Sequence, residues 1–123
     1  MIGRIIIAED DEGLANALGH LLKNAGYEVA VFTNANQAWD ELKTDQRPRL
    51  LITDLAFPVP QVNGVALAAH ADMCHRHLPV IFLTGKHGVA ERLDRHSNGS
   101  LFLKPVQEDA LISRVRELAP LEC

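Results

Sequence analysis

The sequence is organised around one stretch, Leu50-Leu51-Ile52-Thr53-Asp54. Apolar and β-branched residues run up to a carboxylate, and the chain then enters a segment with Pro58, Pro60 and Gly64. Because the apolar run is short and helix-breaking residues follow it, the pattern predicts a buried strand rather than a helix. Strands buried on both faces belong to parallel sheets, which gather their ligands beyond the carboxyl ends of the strands. Asp54 therefore lies where functional residues of such sheets gather, although most aspartates at strand ends only cap a turn, so its role depends on what else meets it there.

Length and composition are those of one globular domain, which we expect to cover residues 1–123. The chain is 47% apolar and 23% charged, values typical of a soluble protein. Its formal net charge of −4 argues against sequence-independent nucleic-acid binding, which requires a basic face. No apolar stretch is long enough to cross a membrane, and the N-terminus does not resemble a secretory signal. Since Cys74 and Cys123 form no disulfide framework, we expect free thiols and a cytoplasmic location.

Short apolar runs alternate with segments of helical periodicity along the whole chain. Strands are predicted for Arg4–Ala8, Tyr27–Phe32, Leu50–Asp54, Val80–Thr84 and Leu101–Leu103. Helices are predicted from Leu14 to Ala25, Ala35 to Leu42, Val65 to His77, Val89 to His96 and Gln107 to Leu118. This alternation predicts an α/β fold, a five-stranded parallel doubly wound sheet with helices on both faces. The common strand order for such a sheet is 2-1-3-4-5, the flavodoxin-like arrangement.

Polar side chains follow four of the predicted strands, at the point where each strand ends. Strand one leads to Glu9 and Asp10, strand three to Asp54, strand four to Thr84 and strand five to Lys104. Because parallel strands end at the same edge of a sheet, these side chains can converge. Three ionised carboxylates cannot be packed together without a cation or a raised pKa. Mg²⁺ suits such oxygen ligands, and a hydroxyl and an ammonium could bind the oxygens of a phosphoryl group.

Over essentially its whole length, the sequence resembles a response-regulator receiver domain of two-component signal transduction. The likeness rests on Ile5–Asp10, Asp54 with Phe57-Pro58 and Gly64, Thr84-Gly85, and Lys104-Pro105. The resemblance implies that Asp54 is the phosphoacceptor, Thr84 the switch hydroxyl and Lys104 the phosphate-binding lysine. It also implies a Mg²⁺ site formed by Glu9, Asp10, Asp54 and the backbone carbonyl of Ala56. A cis Lys104–Pro105 bond is expected as well, a form that proline makes accessible.

The resemblance implies a signalling domain of a phosphorelay and not an enzyme with separate substrates. Such a domain takes a phosphoryl group from a sensor histidine kinase or a histidine phosphotransfer protein onto Asp54, with Mg²⁺, and switches a protein-interaction surface. It catalyses only its own phosphorylation and dephosphorylation. The expected output is a downstream protein or an output domain absent from this chain, without direct binding to nucleic acid or membrane.

Several positions depart from the family pattern. The segment between Pro58 and Gly64, Val59-Pro60-Gln61-Val62-Asn63, is longer than usual. The aromatic that the family places before its lysine is Leu101 here, and Phe102, the next residue, should face the other side of the strand. In the family, the positions of Ala56 and Lys86 overlook the path of the hydrolytic water. Because Ala56 has no group to orient a water, we expect slow self-dephosphorylation.

Three other classes of protein share part of this pattern. A flavodoxin-like electron carrier would need a Ser/Thr/Gly-rich phosphate loop after strand one, where four acids stand instead. A hydrolase with an aspartate nucleophile would carry that aspartate after its first strand and a second aspartate two residues later, a position that Ala56 occupies relative to Asp54. The remaining alternative is a pseudo-receiver, a phosphorylation-independent protein-binding module of the same fold. The complete set of acids, threonine and lysine argues against it.

Overall fold

Parallel strand pairing brings the strand ends named above to one edge of a single sheet. The structure, a computed structural model, describes residues 4–44, 47–85 and 100–121. The strands are β1 (Arg4–Ala8), β2 (Glu28–Phe32), β3 (Pro48–Asp54), β4 (Val80–Thr84) and β5 (Ser100–Leu103). The helices of the described residues are α1 (Glu12–Asn24), α2 (Ala35–Thr44), α3 (Gly64–Cys74) and α4 (Glu108–Leu118). All strand pairs are parallel and the order is β2-β1-β3-β4-β5, which confirms the predicted fold.

Apolar side chains cover both faces of the sheet because the central strands are apolar at nearly every position. Ile5 and Ile52 pack on one face against α1 and α4, and Ile6 and Leu51 pack on the other against α2 and α3. Neighbouring residues of a strand point to opposite faces, so an uninterrupted apolar run is what burial on both faces requires. Each fully buried isoleucine or leucine contributes about 1.5–3 kcal/mol, which holds these short strands in place.

Local sequence signals place the helix ends next to the strand ends. Asp11 caps α1, because its Oδ1 accepts a hydrogen bond of 3.1 Å from the backbone N–H of Leu14. Gly26 follows the end of α1 with φ of 102°, a left-handed conformation that favours glycine. Asn63 caps α3 by accepting a 2.8 Å hydrogen bond from Ala66 N–H. α1 and α3 therefore start close to the ends of β1 and β3, as a compact site at the sheet edge requires.

α3 is shorter than the sequence predicts, and the sequence does not indicate which of its sides is buried. It ends at Cys74, before the predicted end, and its buried side carries Leu67 and Ala71. The side with Val65 and Met73 is exposed. Because α3 is apolar on all sides, its periodicity does not select one face for burial.

β5 confirms the predicted orientation of its two large apolar residues. Leu101 packs with the core on the α2 and α3 side, and Phe102 with the core on the α1 and α4 side. The predicted helix from Val89 to His96 and the residue Lys86 lie outside the described residues. Within the three described ranges, no helix has the length and apolar character to cross a membrane.

We expect Gly64→Ala to lower the free energy of unfolding by about 1–3 kcal/mol, the usual cost of overpacking. A Cβ at Gly64 would lie 2.1 Å from the carbonyl oxygen of Asp54 and 2.9 Å from Leu55 Cα, so the backbone of one segment must move. The measurement is urea-induced unfolding followed by circular dichroism. Gly13→Ala is the matched control, because its Cβ would meet only the Asp11 side chain at 3.4 Å. Equal unfolding midpoints for the two variants would contradict the expectation.

Candidate functional site

The three predicted carboxylates meet where β1 and β3 end. Glu9, Asp10 and Asp54 each offer an oxygen, and the three oxygens lie within 4.8 Å of one another. Glu9 is fully buried and Asp54 is 8% exposed, whereas Asp10 is exposed. β1 and β3 are neighbours with Ala8 opposite Thr53, so the residues that follow them are necessarily close. Among the described residues this is the one group of three or more carboxylate, histidine or cysteine side chains close enough to share a metal ion.

Lys104 provides the positive charge at this cluster. Its Nζ lies 2.5 Å from Glu9 Oε1 and 3.3 Å from Asp54 Oδ2. The backbone N–H of Lys104 donates a 2.8 Å hydrogen bond to the carbonyl oxygen of Thr84, which fixes the lysine beside the end of β4. The Lys104–Pro105 bond is cis, as the resemblance predicted. The ammonium is therefore shared between two carboxylates and is closer to Glu9 than to the predicted phosphoacceptor.

Thr84 and Ala56 lie on neighbouring parts of the same edge. Thr84 ends β4 and is 4% exposed, and the residue before it, Leu83, is paired with Asp54. Ala56 lies in the segment after β3 and is exposed. The structure thus brings the three acids together and places Lys104 against Glu9 and Asp54, with Thr84 and Ala56 at the adjoining strand end and loop. The functional role of each of these residues remains a prediction.

One residue that holds the site was not predicted from the sequence. The hydroxyl of Thr53, which is fully buried, donates a 2.9 Å hydrogen bond to the carbonyl oxygen of Asp54. Gly64 approaches the same carbonyl from the start of α3. Gly64 was recognised from the sequence as one of the residues that carry the family resemblance. Thr53 was not, because a β-branched residue within an apolar run indicates only a strand and gives no sign of a hydrogen bond to the backbone.

Burial raises the pKa values of two of the three acids, Glu9 and Asp54. Desolvation raises the pKa of Glu9 to about 7, against the lowering effects of Lys104 and of the Asp11 N–H, which lies 3.2 Å from Glu9 Oε2. Desolvation also raises the pKa of Asp54, against the lowering effect of the Lys104 charge. Burial lowers the pKa of Lys104, but its contacts with Glu9 and Asp54 outweigh this and the net shift is upward. Closely spaced hard oxygens that are costly to ionise without a cation fit a small divalent metal ion such as Mg²⁺.

Comparison with known proteins identifies the family. The model of the response regulator receiver domain matches residues 5–116. The response regulator receiver protein CpdR of Brucella abortus (strain 2308) is 30% identical over 117 residues, which cover 94% of this chain and 95% of that protein. The chain therefore belongs to the response regulator receiver domain family, the signalling domain of two-component systems. This is a family of signalling domains rather than of catalytic enzymes.

Longer relatives and solved structures agree with this assignment. Response regulator Rre1 of Synechocystis is 29% identical over 93% of this chain, and the chain spans 50% of the length of that relative. A response regulator receiver protein from Sinorhizobium medicae WSM419 has a TM-score of 0.87 at 22% identity, covering 96% of this chain and 94% of that chain. The receiver domain of the hybrid histidine kinase CckA has a TM-score of 0.80 at 24% identity, covering 95% and 99%. At such identities, the two structures show a shared fold.

Without divalent metal, we expect stability to fall as the pH rises and Glu9→Gln to weaken this dependence. The pKa of Glu9 is about 7 in the folded chain, above its ordinary value of 4.5. Between these values the folded state binds more protons than the unfolded state, so stability is greatest below 4.5 and is lost as the pH rises through about 7. The measurement is the melting temperature in EDTA across this pH range.

Glu12→Gln is the control for this pH dependence, because Glu12 is an exposed acid in the first turn of α1. It should keep the wild-type slope of melting temperature against pH. The interpretation is wrong if Glu9→Gln has the wild-type slope as well.

Proposed function

We propose that the chain accepts a phosphoryl group on Asp54 from a phosphohistidine of a sensor histidine kinase or a histidine phosphotransfer protein. The observation that carries this proposal is the setting of Asp54, a nearly buried carboxylate clustered with two acids and 3.3 Å from the ammonium of Lys104. In the transfer, a carboxylate oxygen of Asp54 bonds to phosphorus as the phosphorus–nitrogen bond breaks. The electron pair of that bond leaves with the imidazole nitrogen, and the product is an acyl phosphate.

A Mg²⁺ ion is part of this proposal. Glu9, Asp10 and Asp54 would hold it, together with the backbone carbonyl of Ala56. When bound, Mg²⁺ supplies positive charge that offsets the repulsion between a carboxylate and the phosphoryl oxygens. The pKa values of Glu9 and Asp54 support a cation at this site, because both are raised by burial and a bound cation would lower them.

Lys104 and Thr84 would detect the phosphoryl group once it is attached. The Lys104 ammonium, now paired with Glu9 and Asp54, would pair with a phosphoryl oxygen, and the Thr84 hydroxyl would bind another. A shift at the end of β4 would be passed to β5 and α4 and change the surface that they form. Leu101 would contribute by packing alone, since it has no ring or hydroxyl.

The cellular setting belongs to the same proposal. Residues 1–123 would form a single cytoplasmic receiver domain. Its output would be a downstream protein or an output domain outside this chain. The relatives give no support to the pseudo-receiver alternative. That alternative also leaves the buried Glu9–Lys104 ion pair without a function, although burying the two charges costs desolvation free energy.

We expect treatment with acetyl phosphate and Mg²⁺ to add one phosphoryl group to the chain, measured as intact mass. Asp54→Asn should take up none because it lacks the attacking carboxylate oxygen, and excess EDTA should abolish uptake by the wild type. Asp40→Asn removes an exposed aspartate of α2 and should leave uptake unchanged. Equal uptake by wild type and Asp54→Asn would rule out the assignment, and no uptake by wild type would favour the pseudo-receiver.

We expect Ala56→Asn to accelerate loss of the phosphoryl group several-fold, because an amide at this exposed position can orient the attacking water. The measurement is the first-order rate of phosphate release from the purified phosphorylated chain. Ala56→Val, which adds bulk without a polar group, controls for steric effects. A rate for Ala56→Asn at or below that of wild type would show that the water is not positioned from here.

A further inference from the structure

The peptide bond between Asp54 and Leu55 is held at both of its polar atoms. Its carbonyl oxygen, on Asp54, accepts the 2.9 Å hydrogen bond from the Thr53 hydroxyl. Its N–H, on Leu55, donates a 3.0 Å hydrogen bond to the carbonyl oxygen of Leu83 in β4. Gly64 lies against the same carbonyl, since a Cβ at this position would be 2.1 Å from the oxygen. The orientation of this peptide plane, and with it ψ of the candidate phosphoacceptor, is therefore fixed.

The Thr53 hydroxyl is explained by neither packing nor strand formation. Thr53 is fully buried in a strand that otherwise carries leucine and isoleucine at its centre. A valine has the same shape, forms strands as readily and avoids the cost of burying a hydroxyl group. What valine lacks is the donor for the carbonyl oxygen of Asp54. The hydrogen bond is therefore the property that distinguishes threonine at this position.

The loop after β3 is anchored independently of this hydroxyl. Two side-chain amides tie the loop to the start of α2. Gln61 Oε1 accepts a 2.8 Å hydrogen bond from the N–H of Ala35. Asn36 Oδ1 accepts a 3.1 Å hydrogen bond from the N–H of Val62. Loss of the hydroxyl would therefore act on the phosphoacceptor and leave the loop in place.

We propose that Thr53 is a positioning residue for phosphoryl transfer and acts through the main chain of Asp54. The inference rests on the proposed function. The pairing of β3 holds one side of the Asp54 Cα and the fixed peptide holds the other, so together they direct the bond that carries the carboxylate. In-line attack requires the carboxylate oxygen to approach phosphorus to about 3–3.5 Å in the correct orientation. Without the hydroxyl, the buried carbonyl oxygen loses this donor, the peptide plane rotates and the carboxylate tilts away from the line of attack.

The test compares Thr53→Val with wild type in the reaction with acetyl phosphate and Mg²⁺, in which acetate is the leaving group. The saturating rate of phosphorylation should fall about tenfold, within the roughly hundredfold that a misplacement of about 1 Å can cause. The acetyl phosphate concentration that gives half of this rate should be unchanged, because the variant alters no group that binds the donor. Thr53→Ser keeps a hydroxyl and should restore the wild-type rate. Thr53→Ala lacks the hydroxyl and should react as slowly as Thr53→Val.

Thr44→Val is the matched control. The Thr44 hydroxyl also donates a hydrogen bond to a backbone carbonyl, that of Glu41 at 3.2 Å, but it lies at the end of α2. Its removal should leave the reaction unchanged. Amide hydrogen exchange of Leu55, measured by NMR without donor or metal, gives a readout that does not depend on the reaction. This exchange should be faster in Thr53→Val than in wild type and unchanged in Thr44→Val.

The possible outcomes separate this inference from the proposed function. A wild-type chain that does not react would overturn the proposed function, and this inference with it. If wild type reacts, an equal saturating rate in Thr53→Val would overturn the inference alone. A Thr53→Ser variant as slow as Thr53→Val would also overturn it, because the hydroxyl would then not be the cause. A lower melting temperature with an unchanged rate would mean that Thr53 serves the fold and not the reaction.

Discussion

Burial of the Glu9 carboxyl group is the constraint on which the site depends. Glu9 has no exposed surface, and it lies in a cluster with Asp10 and Asp54, so its ionised form requires a positive charge nearby. The Lys104 ammonium satisfies this requirement at 2.5 Å. That contact spans the sheet from the end of β1 to the end of β5, and it demands that the intervening strands end in register. The charge balance of the site therefore depends on the same strand register that defines the fold.

The sequence predicted the sheet and the residues at its edge for a simple physical reason. Strands buried on both faces are continuous apolar runs, and the runs ending at Ala8, Asp54 and Thr84 are easily recognised. Once they are placed in a parallel sheet, the polar residues that end them must share one edge. The cluster of Glu9, Asp54 and Lys104 therefore followed from topology, without any knowledge of side-chain conformations.

Contacts between elements that are distant in sequence could not be predicted in this way. His75, at the end of α3, donates a 2.9 Å hydrogen bond from its Nε2 to the carbonyl oxygen of Leu42 in α2. His70 of α3 stacks on Trp39 of α2, with ring centroids 3.6 Å apart. These contacts depend on how α2 and α3 pack together, and α3 is apolar on all sides and gives no periodic signal for its orientation. The hydrogen bond of Thr53 escaped prediction for a different reason, since it depends on the backbone conformation at the adjacent Asp54, which a strand pattern does not specify.

The side-chain amides of Asn36 and Gln61, which join α2 to the loop after β3, have a consequence for how such chains can be altered. Asn36 and Val62 are far apart in sequence, yet one hydrogen bond joins them, and a second joins Gln61 to Ala35. A substitution at the start of α2 that removes these hydrogen bonds would therefore release the loop that begins after Asp54, although α2 contributes no side chain to the acidic cluster. Transplanting this loop into another receiver would transfer its shape only if the asparagine of α2 were transplanted with it.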